Sequence, residues 1–429
     1  MKVWRSGEDK LERYLARVEG RAAELFPPQL EERVRRIVSA VAKRGDRALV
    51  AYVRRFDLKG MPSADLRLQG TVSSGEEVGD EFVNAVELAL ANLKEFHEPQ
   101  MPKGYTLERN GGDLGIRVRP IESVGVYVPG GSAVSLTSLL MAAVPARIAG
   151  VSRIAVATPP RAFLASPHLR YVLDRLDLHE VYLMGRAHAV AALAHGTDSV
   201  TPVDKIVGQG GRWVAAAKRA VSGIVGVDTA AGPAELVVVA DAHAEPEVVA
   251  SDLLAAAEQD PDALAVLVTT SKAVAERVGK RVSARLRSLP KKNPARAALR
   301  NWAAILLVPD LESAVDVVNR IAPQHVEILA TDPLRLLDGI ERAGLVCVGP
   351  WAPFGLCGAV AGTNQVLPTA GSARFASPLG VWDFVRRTAV AGVAAHRYPA
   401  LARAAGALLR EEGLTLHEES LRAGSRGKM

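Results

Sequence analysis

The sequence predicts an α/β protein with two parallel β-sheets and helical segments at both ends of the chain. From about residue 120, short runs rich in Val, Ile and Leu alternate with amphipathic stretches. Most of these runs are apolar throughout, as strands buried on both faces of a sheet are. Alternation of strands and helices is typical of parallel sheets covered on both faces, and there are enough strands here for two such sheets.

The first hundred residues carry apolar side chains at helical spacing. One helix is predicted from Leu30 to Phe56, where Val34 and Val38 lie one turn apart. A second helix is predicted to begin near Ser74, because Ser74 and Glu77 have the spacing of a capping box. The N-terminal part of the chain is therefore expected to be helical.

The middle of the chain holds nine predicted strands, which are Val124–Val128, Arg153–Thr158, Glu180–Met184, Lys205–Val207, Glu235–Ala240, Ala263–Val268, Ala304–Val308, Val326–Ala330 and Leu345–Val348. The last fifty residues return to a helical pattern, which is clearest from Pro399 to Leu409. This order of elements gives the two sheets and the helical C-terminal end.

Charge and composition favour an ordinary globular protein. The net charge is +6 and the isoelectric point is near 9.3. Both signs of charge alternate along most of the predicted helices, which indicates a solvated surface rather than a basic patch. Since no basic motif is interleaved with aromatic residues, we expect no nucleic-acid partner.

The number of cysteines and the hydropathy of the chain indicate in which cellular compartment the protein is expected. Cys347 and Cys357 are the two cysteines, too few for a disulfide framework and without the spacing of a metal site. A reducing compartment suits them. The first ten residues lack the apolar core of a signal peptide, and the apolar stretch over 134–144 is too short to span a bilayer. We expect a cytoplasmic protein that does not associate with membranes.

Two glycine-rich loops follow predicted strands. Val128-Pro129-Gly130-Gly131-Ser132 stands between a strand and a helix, and Gly208-Gln209-Gly210-Gly211 follows a later strand. Ligands of open α/β sheets bind beyond the carboxyl ends of the strands, and glycine lets the backbone approach a ligand closely. Taken alone, the first loop fits a tight turn as well as a ligand site, and the second is weak evidence.

Taken together, the loops and several other segments resemble histidinol dehydrogenases over nearly the whole chain. The matching segments, in order, are 124–133, 145–150, 191–194 with Gly196-Thr197, 203–206, 251–254, 361–364 and 366–369. The order and spacing of these segments make the resemblance far more specific than any single glycine motif.

The resemblance implies two Rossmann-like doubly wound domains, one inserted into the other, in a homodimer whose arm and tail are exchanged between subunits. On this basis we predict an N-terminal arm over 1–21 and a discontinuous first domain over 22–126 and 235–378. The inserted second domain is predicted over 127–234, and the helical C-terminal tail over 379–429.

The resemblance also implies an activity. Histidinol dehydrogenases oxidise L-histidinol to L-histidine, a step of histidine biosynthesis, in two NAD-dependent reactions that pass through the aldehyde. A zinc ion orients the substrate. A Glu-His pair supplies base chemistry and activates water for the second reaction.

The zinc ligands implied by the resemblance are largely replaced here. Their positions fall on Ala256, Gln259, Gly358 and His417, and only His417 is the residue found in the family. Alanine and glycine offer no ligating side-chain atom, and an amide oxygen is a poor replacement for imidazole at zinc. Because a zinc site needs three or four protein ligands, we expect no zinc site of the family type.

One of the two catalytic residues implied by the resemblance, the histidine, is present here, and the glutamate is replaced. The two positions fall on Gln324 and His325. His325 can act as a general base, although a histidine at the start of a strand can equally serve to bond a backbone group. Gln324 cannot take a proton, and it can only hold a water or a carbonyl by hydrogen bonds. Of the two reactions, the oxidation of the aldehyde to the acid is therefore expected to be impaired more.

Binding positions implied by the resemblance are kept only in part: Tyr127, Glu412 and His417 match the family, whereas other residues stand at the positions of Ala234, Gln365, His188 and Gly211. Those for the substrate are Ala234, Gln365, Glu412 and His417. Those for NAD are Tyr127, Gly130, Gly131, His188 and Gly211. Since scaffold motifs are intact while polar positions differ, the sequence predicts an NAD-dependent oxidoreductase of this family with altered, zinc-free chemistry on a small molecule. The alternative is a non-catalytic paralogue that binds a small ligand on the same scaffold.

Overall fold

The computed structural model describes residues 1–72, 78–109, 112–130, 134–229 and 232–424. Long apolar runs form most of its strands, which belong to two parallel sheets and one small antiparallel sheet. The strands are β1 (Lys2–Arg5), β2 (Tyr105–Arg109), β3 (Gly112–Pro120), β4 (Ser123–Tyr127), β5 (Arg153–Thr158), β6 (Val181–Leu183), β7 (Lys205–Val207), β8 (Gly226–Val227), β9 (Glu235–Ala240), β10 (Leu264–Thr269), β11 (Ala304–Leu307), β12 (His325–Leu329), β13 (Leu345–Val348) and β14 (Val385–Ala391).

Amphipathic and apolar helices connect these strands. They are α1 (Asp9–Glu19), α2 (Arg21–Leu25), α3 (Pro28–Phe56), α4 (Asp80–His97), α5 (Leu136–Ala149), α6 (Pro160–Ala165), α7 (Pro167–Arg175), α8 (Arg186–His195), α9 (Arg212–Val221), α10 (Pro246–Ala257), α11 (Lys272–Ser288), α12 (Ala295–Asn301), α13 (Leu311–Ile321), α14 (Pro333–Leu337), α15 (Phe354–Cys357), α16 (Tyr398–Glu411) and α17 (Thr415–Gly424). In the described part of the chain, none of the helices combines the length and the apolar character that a bilayer crossing requires.

The larger sheet has six parallel strands in the order β1-β11-β10-β9-β12-β13. Its central strand β9 is buried at every residue, and alternate side chains enter two separate cores. Leu236 and Val238 pack with residues of α10, α11 and α12 on one face. Val237 and Val239 pack with residues of α1 and α13 on the other. The period of two along a strand buried on both faces explains why the run is apolar throughout.

The smaller sheet has five parallel strands in the order β6-β5-β4-β7-β8. The strand order reverses at β4, because the chain adds β5 and β6 on one side and β7 and β8 on the other. Helix α3 packs against α8 and α9. A reversal of this kind leaves a crevice at the carboxyl ends of the strands, where ligands of doubly wound sheets bind.

The described residues of 1–100 and 121–384 form one compact unit, and those of 101–120 and 385–424 form another. This second unit contains an antiparallel sheet in the order β14-β3-β2 and the helices α16 and α17, which pack on each other. The predicted helix from Pro399 to Leu409 corresponds to α16. The three antiparallel strands were not predicted.

The predicted fold class is confirmed: two parallel sheets lie among helices, and both ends of the chain are largely helical. Each of the nine predicted strands is present, with ends within one residue of those predicted. The helix predicted to begin near Ser74 instead begins at Asp80, after Gly79 in an extended conformation. The proposed capping pair, Ser74 and Glu77, lies outside the described residues. The division into arm, two domains and tail stays a prediction.

Candidate active site

Polar residues meet at the amino ends of two neighbouring strands of the larger sheet. Glu235 begins β9 and His325 begins β12, and the strands pair with His325 opposite Leu236. Two reciprocal bonds join the strand starts: the amide of Glu235 donates to Gln324 Oε1 and the amide of Gln324 donates to Glu235 Oε2, each at 3.1 Å. The side chain of Gln324 is therefore committed to the backbone of β9.

The carboxylate of Glu235 holds this edge of the sheet to two other segments. Its Oε1 accepts a hydrogen bond from the amide of Ala370 and lies 2.5 Å from Nη2 of Arg21, which begins α2. Both ionic side chains are almost completely buried. Burial raises the pKa of Glu235, while Arg21 and the two backbone donors oppose that rise. One buried acid thus ties three segments of the chain together.

His325 is buried and contacts groups on every side. Its Nδ1 lies 3.2 Å from the carbonyl oxygen of Glu235 and its Nε2 lies 3.0 Å from Oε1 of Gln365. The ring of Phe354 meets it edge-on, with the ring centres 4.9 Å apart. Burial lowers the pKa of His325 to about 4, although the two hydrogen bonds oppose that shift. The imidazole is therefore neutral at neutral pH.

The hydrogen bonds also select a tautomer of His325. A carbonyl can only accept, so Nδ1 carries the proton and donates it to Glu235. Nε2 is then an acceptor, and it needs a donor from Gln365. The two orientations of a glutamine amide are assigned from their hydrogen bonds, and Nε2 of Gln365 is buried without a partner in the orientation given. Turning the amide satisfies both groups and leaves Nε2 of His325 as the basic atom.

Gln365 connects this edge to the smaller sheet. Its backbone oxygen accepts a hydrogen bond from the side chain of Gln209, which follows β7 in the second glycine-rich loop. Oε1 of Gln209 accepts in turn from Ser138 of α5 at 3.4 Å. The amino edge of the larger sheet and the carboxyl edge of the smaller sheet are therefore joined through two glutamines.

The carboxyl edge of the smaller sheet opens into a cavity of about 500 Å³. The residues that line it are Arg54, Arg55, Phe56, Asp57, Leu58, Lys59, Tyr127, Pro129, Gly130, Pro159, Arg161, Arg186, Gly211, Trp213 and Val214. Helix α9 begins here after Gly211, which provides no side-chain cap, whereas the first amides of α8 are already bonded to Asp57 and Tyr127. Uncapped helix starts attract anions, so the cavity suits a dinucleotide with its diphosphate.

Three of the predicted NAD-binding residues line this cavity, namely Tyr127, Gly130 and Gly211. The buried hydroxyl of Tyr127 accepts a hydrogen bond from the amide of Arg186 at 3.0 Å, and burial raises its pKa to about 12. A Cβ at Gly130 would lie 2.4 Å from that of Ala162, so this position requires glycine. Gly131, the fourth, lies outside the described residues.

His188, the fifth predicted NAD-binding residue, is buried behind the cavity wall. Its Nε2 lies 2.7 Å from Oδ2 of Asp57, and the same oxygen accepts from the amide of Gly185 at 2.9 Å. Asp57 therefore anchors the start of α8 and holds the imidazole away from the cavity. The position contributes to the wall rather than directly to its surface.

The positions of the implied zinc ligands do not converge on a set of donors. Ala256 is completely buried within α10, while Gln259 is exposed beyond its end. A Cβ at Gly358 would lie 3.3 Å from the amide carbon of Gln365. No group of three or more His, Cys, Asp or Glu side chains among the described residues has an arrangement that could hold a metal ion. The residues present do not fit a zinc ion of the family type.

The remaining predicted substrate positions fall in different places. Ala234 is buried directly before Glu235, at the edge that holds His325. Glu412 and His417 lie at the end of α16 and within α17, where both are exposed in the second unit. The structure thus brings Ala234, Gln324, His325 and Gln365 together, and it describes Glu412 and His417 as part of another unit.

A buried pair of carboxyls lies deeper on β12. Glu327 is completely buried and Asp252 is nearly so. Burial, and the neighbouring Asp252, raise the pKa of Glu327 to about 9, and burial raises that of Asp252. Two adjacent buried carboxyls share a proton at neutral pH because neither can ionise freely beside the other. Both cysteines, Cys347 and Cys357, are buried thiols.

Several of these residues were not identified from the sequence. Glu235 had a signal, since it is an acid at the head of an otherwise apolar strand. Arg21 and Asp57 had none, because each lies at a helix end, where charged residues are common. Asp252 is an acid within the apolar helix α10, in a segment that matched the family. Their partners are distant in the sequence, and the fold alone brings them together.

Comparison with known proteins gives a consistent result. The family model for histidinol dehydrogenase matches residues 21–424. A histidinol dehydrogenase of Listeria monocytogenes is 40% identical over 399 residues, which is 92% of each chain. One from Rhizobium meliloti is 41% identical over 394 residues, which is 90% of each chain. The crystal structure of histidinol dehydrogenase from Elizabethkingia anophelis aligns with a TM-score of 0.87 at 28% identity, covering 99% of this chain and 97% of that one.

Proposed function

This chain belongs to the histidinol dehydrogenase family, and from that membership we propose that it is an NAD-dependent oxidoreductase acting on a small alcohol or aldehyde in histidine biosynthesis, without zinc. The observation that carries the proposal is that His325 contacts Gln365, which is bonded to Gln209 in the same loop as Gly211, a residue of the cavity wall. L-Histidinol is the first substrate to test, since the relatives carry its name.

The roles of the residues follow from their geometry. NAD, when bound, supplies the acceptor of a hydride. Tyr127, Gly130 and Gly211 form the cavity surface that would hold it, and the uncapped start of α9 would face its phosphates. Nε2 of His325 accepts the hydroxyl proton of the alcohol, while Nδ1 stays bonded to the carbonyl of Glu235. Gln365 donates to the same Nε2 in the resting site and must release it when substrate binds.

The chemistry is expected to favour interconversion of alcohol and aldehyde. Oxidation of the aldehyde to an acid needs an activated water, and Gln324 cannot take a proton from one. Its amide oxygen is in any case occupied by the amide of Glu235.

A non-catalytic paralogue is the second candidate, and a specific observation favours it. In the described chain Nε2 of His325 is already occupied by Gln365, and three of the four metal-ligand positions carry other residues. Such a protein would bind a dinucleotide or an imidazole ligand without turnover. The two candidates differ in one measurable respect, which is the reduction of the dinucleotide.

The deciding experiment measures metal content and dinucleotide reduction on one purified sample, with L-histidinol and L-histidinal as separate substrates. Reduction with the alcohol that is lost in His325→Gln, in a sample free of zinc, supports the enzyme. Dinucleotide binding without any reduction supports the paralogue. Stoichiometric zinc with full oxidation to histidine would contradict the zinc-free proposal.

The oligomeric state and compartment complete the proposal. We propose a homodimer in the cytoplasm, as in the sequence-based prediction. Light scattering on the full chain gives the mass in solution, against 45.5 kDa for one chain. A monomer across the micromolar range would contradict the dimer.

A further inference from the structure

The second glycine-rich loop, residues 208–211, takes part in both halves of the candidate site. Gly211 lines the cavity at the carboxyl edge of the smaller sheet and immediately precedes α9. The side chain of Gln209 donates to the backbone oxygen of Gln365, whose own side chain contacts His325. The conformation of this loop therefore determines both the cavity wall and the contacts beside the candidate base.

A buried ion pair holds both backbone groups of Gly208, the first residue of the loop. Oδ2 of Asp228 accepts a hydrogen bond from the amide of Gly208 at 2.7 Å, and Nζ of Lys218 donates to the carbonyl oxygen of Gly208. The same Nζ lies 2.5 Å from Oδ1 of Asp228, and each of the two side chains is only 2% exposed. Since Asp228 follows β8 and Lys218 lies within α9, the pair ties the loop to a strand end and to a helix.

The backbone of Gly208 also packs closely against β4. Its φ is +108°, a backbone conformation that favours glycine. A Cβ at this position would lie 2.3 Å from the carbonyl oxygen of Tyr127, and Tyr127 is itself a residue of the cavity wall. Gly208 is therefore fixed both by its packing against Tyr127 and by its hydrogen bonds to the ion pair.

A buried ion pair such as that of Lys218 and Asp228 adds little net stability, because the cost of removing two charges from water offsets most of their attraction. Hydrogen bonds from both side chains to one loop residue have a different consequence, since they place that residue relative to its neighbours. We propose that Lys218 and Asp228 are positioning residues for the binding of NAD. By holding Gly208 they fix the start of the loop, and with it the place of Gly211 at the cavity wall. The inference rests on the proposed function, because it concerns the coenzyme of the same site.

The test is a calorimetric titration with NAD of the full chain in which both partners of the ion pair are replaced. Replacing one partner alone would leave a buried charge unpaired and destabilise the fold strongly. Lys218→Met with Asp228→Leu removes both charges and both hydrogen bonds to Gly208. Circular dichroism shows whether the variant is folded at the titration temperature. In the folded variant the Kd for NAD is expected to rise about tenfold, as when a helix start no longer faces an anion.

Lys218→Met with Asp228→Asn is the conservative variant. It removes the same two charges but keeps a side-chain oxygen that can accept from the amide of Gly208. Its Kd for NAD is expected to rise about threefold, less than in the leucine variant, because one of the two hydrogen bonds is kept. A role in stability alone would lower the unfolding midpoint of both variants without altering either Kd. Unchanged Kd values in the folded variants would therefore overturn the inference and leave the proposed function intact. If the leucine variant does not fold, the asparagine variant decides by the same criterion.

Arg153→Met with Glu180→Gln is the matched control. Arg153 and Glu180 form a partly buried ion pair with atoms 2.8 Å apart, at the amino ends of β5 and β6 and so at the edge of the smaller sheet opposite the cavity. The control should lower the unfolding midpoint and leave the Kd for NAD within about twofold of the wild type. An equal rise of the Kd in the control would overturn the assignment to Lys218 and Asp228. A wild-type chain that does not bind NAD would instead overturn the proposed function.

Discussion

Nε2 of His325 lies 3.0 Å from Oε1 of Gln365, and both side chains are buried at the amino edge of the larger sheet. The opposite nitrogen of the imidazole faces the carbonyl of Glu235 at 3.2 Å. Because a carbonyl only accepts, the proton sits on Nδ1 and Gln365 must donate to Nε2. The residue at position 365 therefore controls how easily the base takes a proton.

Replacing Gln365 with Glu should raise the pKa of His325 from about 4. A carboxylate at Nε2 favours the imidazolium, and an adjacent opposite charge moves a pKa by roughly 1–3 units. NMR titration of the His325 ring measures the change. Gln259→Glu, on an exposed position of the same unit, is the control and should leave the titration unaltered. An unchanged or lower pKa in Gln365→Glu would contradict the contact.

Acid pH should destabilise the protein through His325. Its pKa in the folded chain is about 4, against 6.5 in an unfolded chain. The unfolded state therefore binds a proton first as the pH falls. This contribution to stability is complete above pH 6.5 and is lost as the pH falls towards 4, by about 3 kcal/mol in all. Urea unfolding of the wild type and of His325→Gln across this range should show a shallower loss in the variant, and parallel curves would contradict it.

Alkaline pH should act in the opposite sense on Glu327. Its pKa in the folded chain is raised from 4.5 to about 9 by burial and by Asp252. The unfolded state releases its proton first, so stability falls as the pH rises from 4.5 through 9. Glu327→Gln removes that titration and should be more stable than the wild type at pH 8, by on the order of 2 kcal/mol. Equal stability at pH 8 would contradict a protonated Glu327.

Removal of divalent metal should leave the protein unchanged. The positions of the implied zinc ligands carry Ala256, Gln259 and Gly358, of which two have no donor atom. Treatment with a chelator is therefore expected to alter neither the unfolding midpoint nor dinucleotide binding. Added zinc should not restore or raise any oxidation of L-histidinol. A fall in the midpoint after chelation would reveal a metal site formed by other groups.

The predictability of this fold differs between its parts for a physical reason. Strands buried on both faces, such as Glu235–Ala240 and Arg153–Thr158, are continuous apolar runs, and their predicted ends match the structure. The antiparallel strands have one apolar face at most. In Gly112–Pro120 the apolar residues alternate with Gly and Arg, and Val385–Ala391 contains two arginines. These short alternations are weak signals beside a long apolar run.

Only those residues of the candidate site that lie in or near motifs shared with the family could be predicted from the sequence. His325, Gln365 and Tyr127 came from matching motifs, whereas the contacts that tune them did not. Asp57 reaches His188 across 131 residues of sequence. No local pattern announces such a contact, since each side chain alone looks like an ordinary surface or helix residue. Only the tertiary structure brings Asp57 and His188 into contact, where Asp57 bonds the start of α8 and both side chains lie behind the cavity surface.

The buried ion pair between Arg21 and Glu235 should be essential for stability at this edge. Its atoms lie 2.5 Å apart, and Nε and Nη1 of Arg21 have no hydrogen-bond partner among the described residues. Arg21→Met leaves the carboxylate buried without its cation, which costs about 3–5 kcal/mol. Urea unfolding at neutral pH measures this loss. Glu235→Gln added to Arg21→Met removes the unpaired charge and should recover part of the stability, whereas a double variant as unstable as the sum of both single changes would show that the two side chains do not interact.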